Sequence, residues 1–454
     1  MHVVAFLISH HIASMVGAAL TAALVASVLR QRRPPGSALA WILAIVLVPY
    51  VGIPLYLMLG GRKFKRRADS KPRLRMPSEP SAAPGLLVSP NTPKEHADRL
   101  EWLDDGTLAY DALLREIRDA RSSIRIMTFV VGKDETGRTV LDELTRRAAE
   151  GLEVRLLLDD LLRFRAPRDR LARLEAAGGR VRRFMPLVHV PFRGRSNLRN
   201  HRKIAIFDER RALVGGMNLA DEYMGPRPSP ARWRDLSVLV SGSCVATLDA
   251  IFRSDWRFAA AEPLPPSVSS PAEPPGVIPV HVVPSGPDDP GDAIYDALLQ
   301  AVFAATRRVW IATPYFAPDE SLAKALEIAV RRGVDVRVIV PERSNHRLAD
   351  VVGGAILRDL SQAGVRVFQF GPTMLHAKAL LVDDALATIG SANFDMRSLF
   401  LDYEVALLFS GEQEVARLAA WFEQTLAHAP EGPPATNWLR SQIEPWARLV
   451  APLV

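Results

Sequence analysis

Apolar residues run almost unbroken through two stretches near the amino terminus, 3–29 and 38–59, then give way to shorter patterned runs along the 454-residue chain. Each stretch is long enough for the roughly 20 residues that cross a hydrocarbon core. A two-helix transmembrane hairpin is therefore expected over residues 1–61. A cleaved signal peptide competes with this reading, but the first stretch lacks a basic amino-terminal region and a small-x-small cleavage site, and a second span follows it closely. Trp41, Tyr50 and Tyr56 suit interfacial anchoring, and His10 and His11 read as a neutral pair near one end of the first span.

From about residue 100 the pattern repeats itself. Tyr110-Asp111-Ala112-Leu113-Leu114 recurs as Tyr295-Asp296-Ala297-Leu298-Leu299, SIRIMT (123–128) as RVWIAT (308–313), and GLEVRLLL (151–158) as GVDVRVIV (333–340). Each half reads as helix, strand, helix, then a strand opened by Gly, which is α/β alternation around a sheet. Pro- and Ser-rich segments punctuate this plan. The expected divisions are a basic, Pro-rich tether over 62–99, a first domain over 100–262, a linker over 263–280 and a second domain over 281–454.

The chemistry-bearing residues sit in the same repeat. In 375–393, LHAKALLVDDALATIGSAN, His376 and Lys378 fall two residues apart on what the pattern predicts as a strand from His376 onward, so they share a face. Asp383, Gly390, Ser391 and Asn393 follow. In the first half His201, Lys203, Asp208, Gly215, Gly216 and Asn218 stand at matching intervals. An imidazole beside a fixed cation suits attack on a phosphate diester, and two copies would supply a nucleophile and an acid–base partner. A nucleophilic imidazole needs a carboxylate on its other nitrogen. Asp208 and Asp383 lie near in sequence, but at an odd offset from the His that points them to the opposite strand face. Asp235 in WRD and Glu404 in LDYE, each opening a later strand, are the better partners.

Charge and composition add bounds. A net charge of +7 and a pI near 9.7 fit an anionic partner, nucleic acid or an acidic membrane. Arg30, Arg32 and Arg33 lie between the apolar stretches, and Arg62, Lys63, Lys65, Arg66 and Arg67 follow the second, so the larger cluster predicts a cytoplasmic carboxy-terminal bulk. The single cysteine, Cys244, excludes an intrachain disulfide framework and a cysteine zinc cluster, and it reads as a packed residue. Arg199, Arg202 and Arg397 are candidates to draw in an anionic headgroup, against the commoner solvated arginine. For Tyr315 and Phe316, core packing and lining of a lipid cleft stand as equal expectations, while His189 and His346 read as loop histidines. The segment 438–454, with Trp446, suits packing on the domain or rest on a membrane.

The paired H-x-K-x4-D-x6-G-x-x-N motifs resemble those of the phospholipase D superfamily over residues from about 100 to the end. The amino-terminal hairpin with ALAW, RNHRK at 199–203, GGMNLADEY at 215–223, WRD at 233–235, TPYFAPD at 313–319 and GSANFDMRS at 390–398 resemble the bacterial cardiolipin synthases more narrowly. Gly216 stands where the second motif has Ser391, and Ser237 stands where that subgroup's pattern has His. The resemblance implies an α/β fold: two pseudo-twofold-related phospholipase D-like domains, each a mixed sheet flanked by helices, after a transmembrane hairpin. It implies a catalytic set of His201, Lys203, Asp208, His376, Lys378 and Asp383, with Asn218, Ser391 and Asn393 binding phosphate and Asp235 and Glu404 as supporting carboxylates. It also implies a phosphohistidine intermediate on His201, with His376 as acid–base, and no cofactor or metal. The implied substrate is phosphatidylglycerol in anionic membrane lipid rather than nucleic acid, and the implied location is a bacterial inner (cytoplasmic) membrane. A phospholipase D-type hydrolase, a headgroup-exchange enzyme and a nucleic-acid phosphodiesterase are the alternatives.

Overall fold

The structure is a computed structural model that describes residues 2–30, 35–59, 95–185, 198–264, 278–288, 291–436, 438 and 444. Most of the expected tether, most of the Pro-rich linker, His189 and nearly all of 438–454, including Trp446, lie outside the described residues. The helices of residues 2–59 form one compact unit, and the described residues from 95 onward form a second.

In the first unit α1 (His2–Arg30) is followed by α2 (Pro35–Leu47) and α3 (Pro49–Leu59). The second apolar stretch is thus two short helices rather than the single span expected, divided where Pro49 has no N–H to donate to a helical ladder. Among the described residues no helix is long and apolar enough to cross a membrane. Leu24, Val28, Ile45 and Tyr56 form the small core of this unit. Tyr56 is a packed residue rather than an interfacial anchor: its hydroxyl donates to Ser27 Oγ at 3.2 Å, and its ring meets Trp41 edge-on at 5.4 Å.

The second unit is built on two mixed sheets. The first half contributes β2 (Arg99–Leu103), β3 (Ser123–Thr128), β4 (Glu153–Asp159), β5 (Arg180–Phe184), β6 (Ile204–Phe207), β7 (Arg211–Gly215) and β8 (Ser237–Ser241), in the order β2-β8-β7-β6-β3-β4-β5. The second half contributes β9 (Ile278–Ser285), β10 (Arg308–Ala312), β12 (Asp335–Pro341), β13 (Arg366–Phe370), β14 (Ala379–Val382), β15 (Leu386–Gly390) and β17 (Glu404–Phe409). Their order, β9-β17-β15-β14-β10-β12-β13, repeats the first, strand for strand. In each half the first three strands of the repeat unit run parallel and the motif strands antiparallel to them.

Short local signals place these elements. Asp105 and Asp319 cap α4 (Gly106–Asp119) and α9 (Glu320–Arg331) by accepting backbone N–H bonds. Gly151 and Gly333, expected to open strands, instead end the preceding helices in left-handed geometry, and the strands begin two residues later. Residues 95–97 and 99, assigned above to the tether, are strand: β1 (Glu95–Ala97) pairs with β9 of the second half, and the next strand, β2, joins the first. The largest core cluster mixes Met127, Leu157 and Phe184 of one half with Trp310, Ile339 and Leu375 of the other, so the two sheets share a core.

Candidate active site

Both motifs reach the site just before their strands. His201 and Lys203 precede β6, and His376 and Lys378 precede β14, so the predicted strand start at His376 moves past the lysine. These residues are held instead by the opposite half. The His201 N–H donates to the Tyr403 carbonyl at 2.9 Å, and the His376 N–H donates to the Arg234 carbonyl at 2.8 Å. Arg202 strengthens the first of these joints. Its buried guanidinium donates to the Glu404 carbonyl at 2.9 Å, to Asp255 at 2.7 Å and to the Ser285 carbonyl at 3.0 Å.

The crossing brings a carboxylate from each half onto the imidazole of the other. His201 Nδ1 lies 2.8 Å from Glu404 Oε1, and His376 Nδ1 lies 2.6 Å from Asp235 Oδ2. Both carboxylates are fully buried, so the pairing expected for Asp235 and Glu404 is present in the geometry. Lys378 Nζ stands 2.8 Å from His376 Nδ1 and donates to its carbonyl, and Lys203 Nζ donates to the His201 carbonyl at 2.6 Å.

Asp208 and Asp383 are not brought to this cluster. Asp208 accepts from the backbone N–H groups of Arg121, Ser122 and Ser123, and Asp383 from those of Thr306, Arg307 and Arg308. Both adopt left-handed backbone, which Asp tolerates. They tie the far end of each motif strand to the start of its antiparallel neighbour, β6 to β3 and β14 to β10.

The remaining sequence candidates divide. Asn218 Oδ1 accepts from Thr128 Oγ1 and the Val130 N–H, both at 3.2 Å. Asn393 Nδ2 donates to Ser398 Oγ at 3.0 Å, while its buried Oδ1 has no protein donor among the described residues. Ser391 Oγ donates to Glu404 Oε2. Gly216, its counterpart, has no room for a side chain, because a Cβ there would stand 2.2 Å from Asp235 Oδ1. Ser237 is buried within β8.

Arg199 and Arg202 are both 1 % exposed and engaged with Asp159 and Asp255, so they are framework rather than headgroup contacts. Arg397 pairs with Asp402. Phe316 is core, whereas Tyr315 is partly exposed and donates to Asn345 at 2.5 Å. His346 caps α10 (Arg347–Gln362) by accepting from the Ala349 N–H. Burial pushes the Cys244 thiol up to about 12, as suits a packed residue.

Sequence reasoning missed the aromatic walls. Tyr223 and Trp233 pack on His376 at 5.0 and 5.3 Å, and Phe129 meets His201 edge-on at 5.1 Å. Phe129 follows directly on β3, but its counterpart in the repeat is Pro314, so the repeat carries no signal for an aromatic wall there.

Electrostatics follow from burial. Desolvation, then the charges of Lys203 and Lys378, hold the His201 imidazole well below its ordinary value, and the same causes act on His376. Burial pushes the Lys203 ammonium down to about 7 and that of Lys378 down to about 8, against the pull of the carboxylates. Burial also pushes Asp235 and Glu404 up to about 7 each. A neutral imidazole that donates Nδ1–H to an ionised carboxylate presents Nε2 as a lone pair, one that accepts at Nδ1 from a protonated carboxyl carries a proton on Nε2, and the lysines supply positive charge for an anion. Among the described residues no group of three or more His, Cys, Asp or Glu side chains is arranged to hold a metal ion.

Comparison with known proteins decides the family. The family model described as "Cardiolipin synthase, PLD-like domain" matches residues 113–256 and 298–426. The chain belongs to this family of the phospholipase D superfamily. A second model, "Phospholipase_D-nuclease N-terminal", matches residues 19–61. Cardiolipin synthase A of Pseudomonas putida is 33% identical over 93% of this chain and 93% of its own length. The protein of the same name from Pseudomonas fluorescens (strain Pf-5) is 34% identical over 95% of each. Among solved structures, phosphatidylserine synthase of Haemophilus influenzae superposes with a TM-score of 0.63 at 18% identity, covering 80% of this chain and 97% of its own, which establishes the shared fold. This family member is an enzyme of the phospholipase D superfamily, with two phospholipase D-like domains in one α/β unit.

Proposed function

We propose that the protein is a membrane-bound cardiolipin synthase that moves a phosphatidyl group from one phosphatidylglycerol to another, giving cardiolipin and glycerol. The observation that carries this reading is the crossed arrangement of two imidazoles, each with a buried carboxylate on Nδ1 and each beside a lysine. Relatives named cardiolipin synthase A support the choice of substrate.

His201 Nε2 attacks the phosphorus of the first phosphatidylglycerol. The bond from phosphorus to the glycerol oxygen breaks, and His376 gives that oxygen a proton. The second phosphatidylglycerol then loses its hydroxyl proton to His376, its oxygen attacks the phosphohistidine, and the P–N bond breaks to restore His201. The asymmetry between the halves supports this assignment of roles. The Ser391 hydroxyl donates to Glu404 and favours its ionised form, which keeps the His201 proton on Nδ1 and Nε2 free. Asp235 faces Gly216, receives no such hydroxyl, and more readily keeps a proton within its pair with His376. Lys203, Lys378, Asn218, Asn393 and Ser391 surround the phosphate.

The amino-terminal helices serve as the membrane anchor on this reading, with the catalytic unit cytoplasmic at a bacterial inner membrane. Met15, Val16, Leu29, Leu47 and Tyr50 are exposed there, apolar or amphipathic surface that a bilayer would cover. The deciding experiment incubates the detergent-solubilised protein with labelled phosphatidylglycerol as the sole lipid. Cardiolipin and free glycerol in equal amounts are expected. Phosphatidic acid without cardiolipin would assign the site to hydrolysis instead.

A further inference from the structure

Two exposed apolar side chains stand on equivalent loops of the two halves. Phe164, 59 % exposed, lies on the segment that follows β4, and Leu348, 41 % exposed, opens α10 after β12. The strands β4 and β12 are counterparts in the repeat, and their carboxyl ends emerge on the edge of the sheets where β3 and β10 deliver Phe129 and Tyr315. Ligands in such sheets bind beyond the carboxyl ends of the parallel strands.

The first loop is tied to the site by contacts, and the second to a residue at the same edge of its sheet. Arg165, next to Phe164, donates to Glu222 at 2.6 Å, and the Glu222 carbonyl accepts from Trp233, the ring packed on His376. Asn345, three residues before Leu348, accepts from Tyr315, which follows β10 as Phe129 follows β3. The exposed charged residues beside each apolar tip are mostly cations, Arg163 and Arg168 with Asp169 on one loop, Arg343 and Arg347 with Glu342 on the other. A large apolar side chain flanked in sequence by exposed arginines matches an anionic lipid interface, where the ring or isobutyl group enters the headgroup boundary and the guanidinium groups meet phosphates.

We propose that Phe164 and Leu348, with these four arginines, form a membrane-docking rim that seats the mouth of the active site on anionic lipid. The proposal deepens the synthase reading, since two membrane-held substrates must reach one buried pair of histidines. The rim would deliver diacylglycerol-anchored diesters without lifting them out of the bilayer.

The test uses the full chain. Cys244 is the single cysteine and is buried, so Phe164→Cys and Leu348→Cys can each carry a polarity-sensitive fluorophore. Phe303→Cys is the control. It is 47 % exposed, but it lies at the end of α8 (Ala293–Ala304), ahead of β10 and so at the opposite edge. Each labelled protein is reconstituted in vesicles of phosphatidylcholine with phosphatidylserine carrying a lipid-borne quencher, and in phosphatidylcholine alone. The readout needs no turnover, so its failure is separable from failure of the synthase reading.

The expected result is a blue shift and at least a twofold quenching at 164 and 348 in the anionic vesicles, weaker in phosphatidylcholine, and none at 303. Equal signals at all three positions, or quenching at only one loop, would overturn the rim. A blue shift at 164 and 348 without lipid quenching would assign the surface to contact between two copies of the chain and refute lipid docking.

Discussion

Nδ1 of His201 lies 2.8 Å from Oε1 of Glu404, a residue 203 positions later in the chain. The reciprocal pair, His376 with Asp235 at 2.6 Å, spans 141 positions in the other direction. Neither half can therefore hold its own imidazole in the reactive tautomer. Glu404→Gln is expected to lower kcat by roughly 10²- to 10⁴-fold, because an amide can present its N–H to Nδ1 and move the proton to Nε2. The melting temperature should stay near that of the parent. A variant with full turnover would remove Glu404 from the site.

Asp383→Asn should have the opposite signature. Its carboxylate gathers three backbone N–H groups and the Thr306 hydroxyl, which hold it below the usual carboxylate range. An amide oxygen accepts fewer of these bonds, so a loss of roughly 1–3 kcal/mol in stability is expected. Turnover per folded molecule should be nearly unchanged. Chemical denaturation together with activity normalised to folded protein separates the two effects.

Gly216→Ser tests the asymmetry of the motifs. A Cβ would meet Asp235 Oδ1 at 2.2 Å and displace the carboxylate from His376. At least a roughly tenfold fall in kcat is expected, since 1.4 kcal/mol of lost positioning is enough for that. Ser391→Gly removes the hydroxymethyl group that donates to Glu404 and accepts from the Val405 N–H, and should cost roughly 1–3 kcal/mol.

The lysines set an alkaline limb. Burial brings Lys203 down to about 7 and Lys378 down to about 8, so their positive charge fades as pH rises through that range instead of near the ordinary 10.5. In the free enzyme kcat/KM should decline across the same interval, because kcat/KM reports groups before substrate binds. Lys203→Arg keeps its charge throughout and should leave a limb set by Lys378 alone, at a lower absolute rate.

Glu95 gives a pH dependence of stability away from the site. It is buried in β1, accepts from Thr247 and the Val282 N–H, and burial pushes it from 4.5 up to about 8. The folded form therefore binds this proton more tightly than the unfolded one. Its contribution is fully present below about 4.5 and is lost as pH rises through about 8. Glu95→Gln should gain roughly 2–4 kcal/mol on the parent between about pH 5 and pH 9, read from denaturation midpoints at the two pH values.

The sequence by itself determined the repeat and, through it, much of the fold and the residues of the candidate site. Strand and helix periods are local, so matching runs such as SIRIMT and RVWIAT placed β3 and β10, and the two strand orders agree as the repeat requires. The odd offset of Asp208 and Asp383 set them apart from their histidines, as the structure does, although the alternation it assumes does not reach the histidines, which precede their strands. The tertiary structure alone decided what crosses between the halves. Arg199 and Arg202 read as available cations, yet their partners Asp159 and Asp255 come from distant segments, and burial converts them to framework. The room denied to a side chain at Gly216, the aromatic walls of Phe129, Tyr223 and Trp233, and the capture of each imidazole by the other half's carboxylate all depend on long-range packing. Local periodicity carries no record of such packing, because these contacts form only when two sheets far apart in sequence share one core.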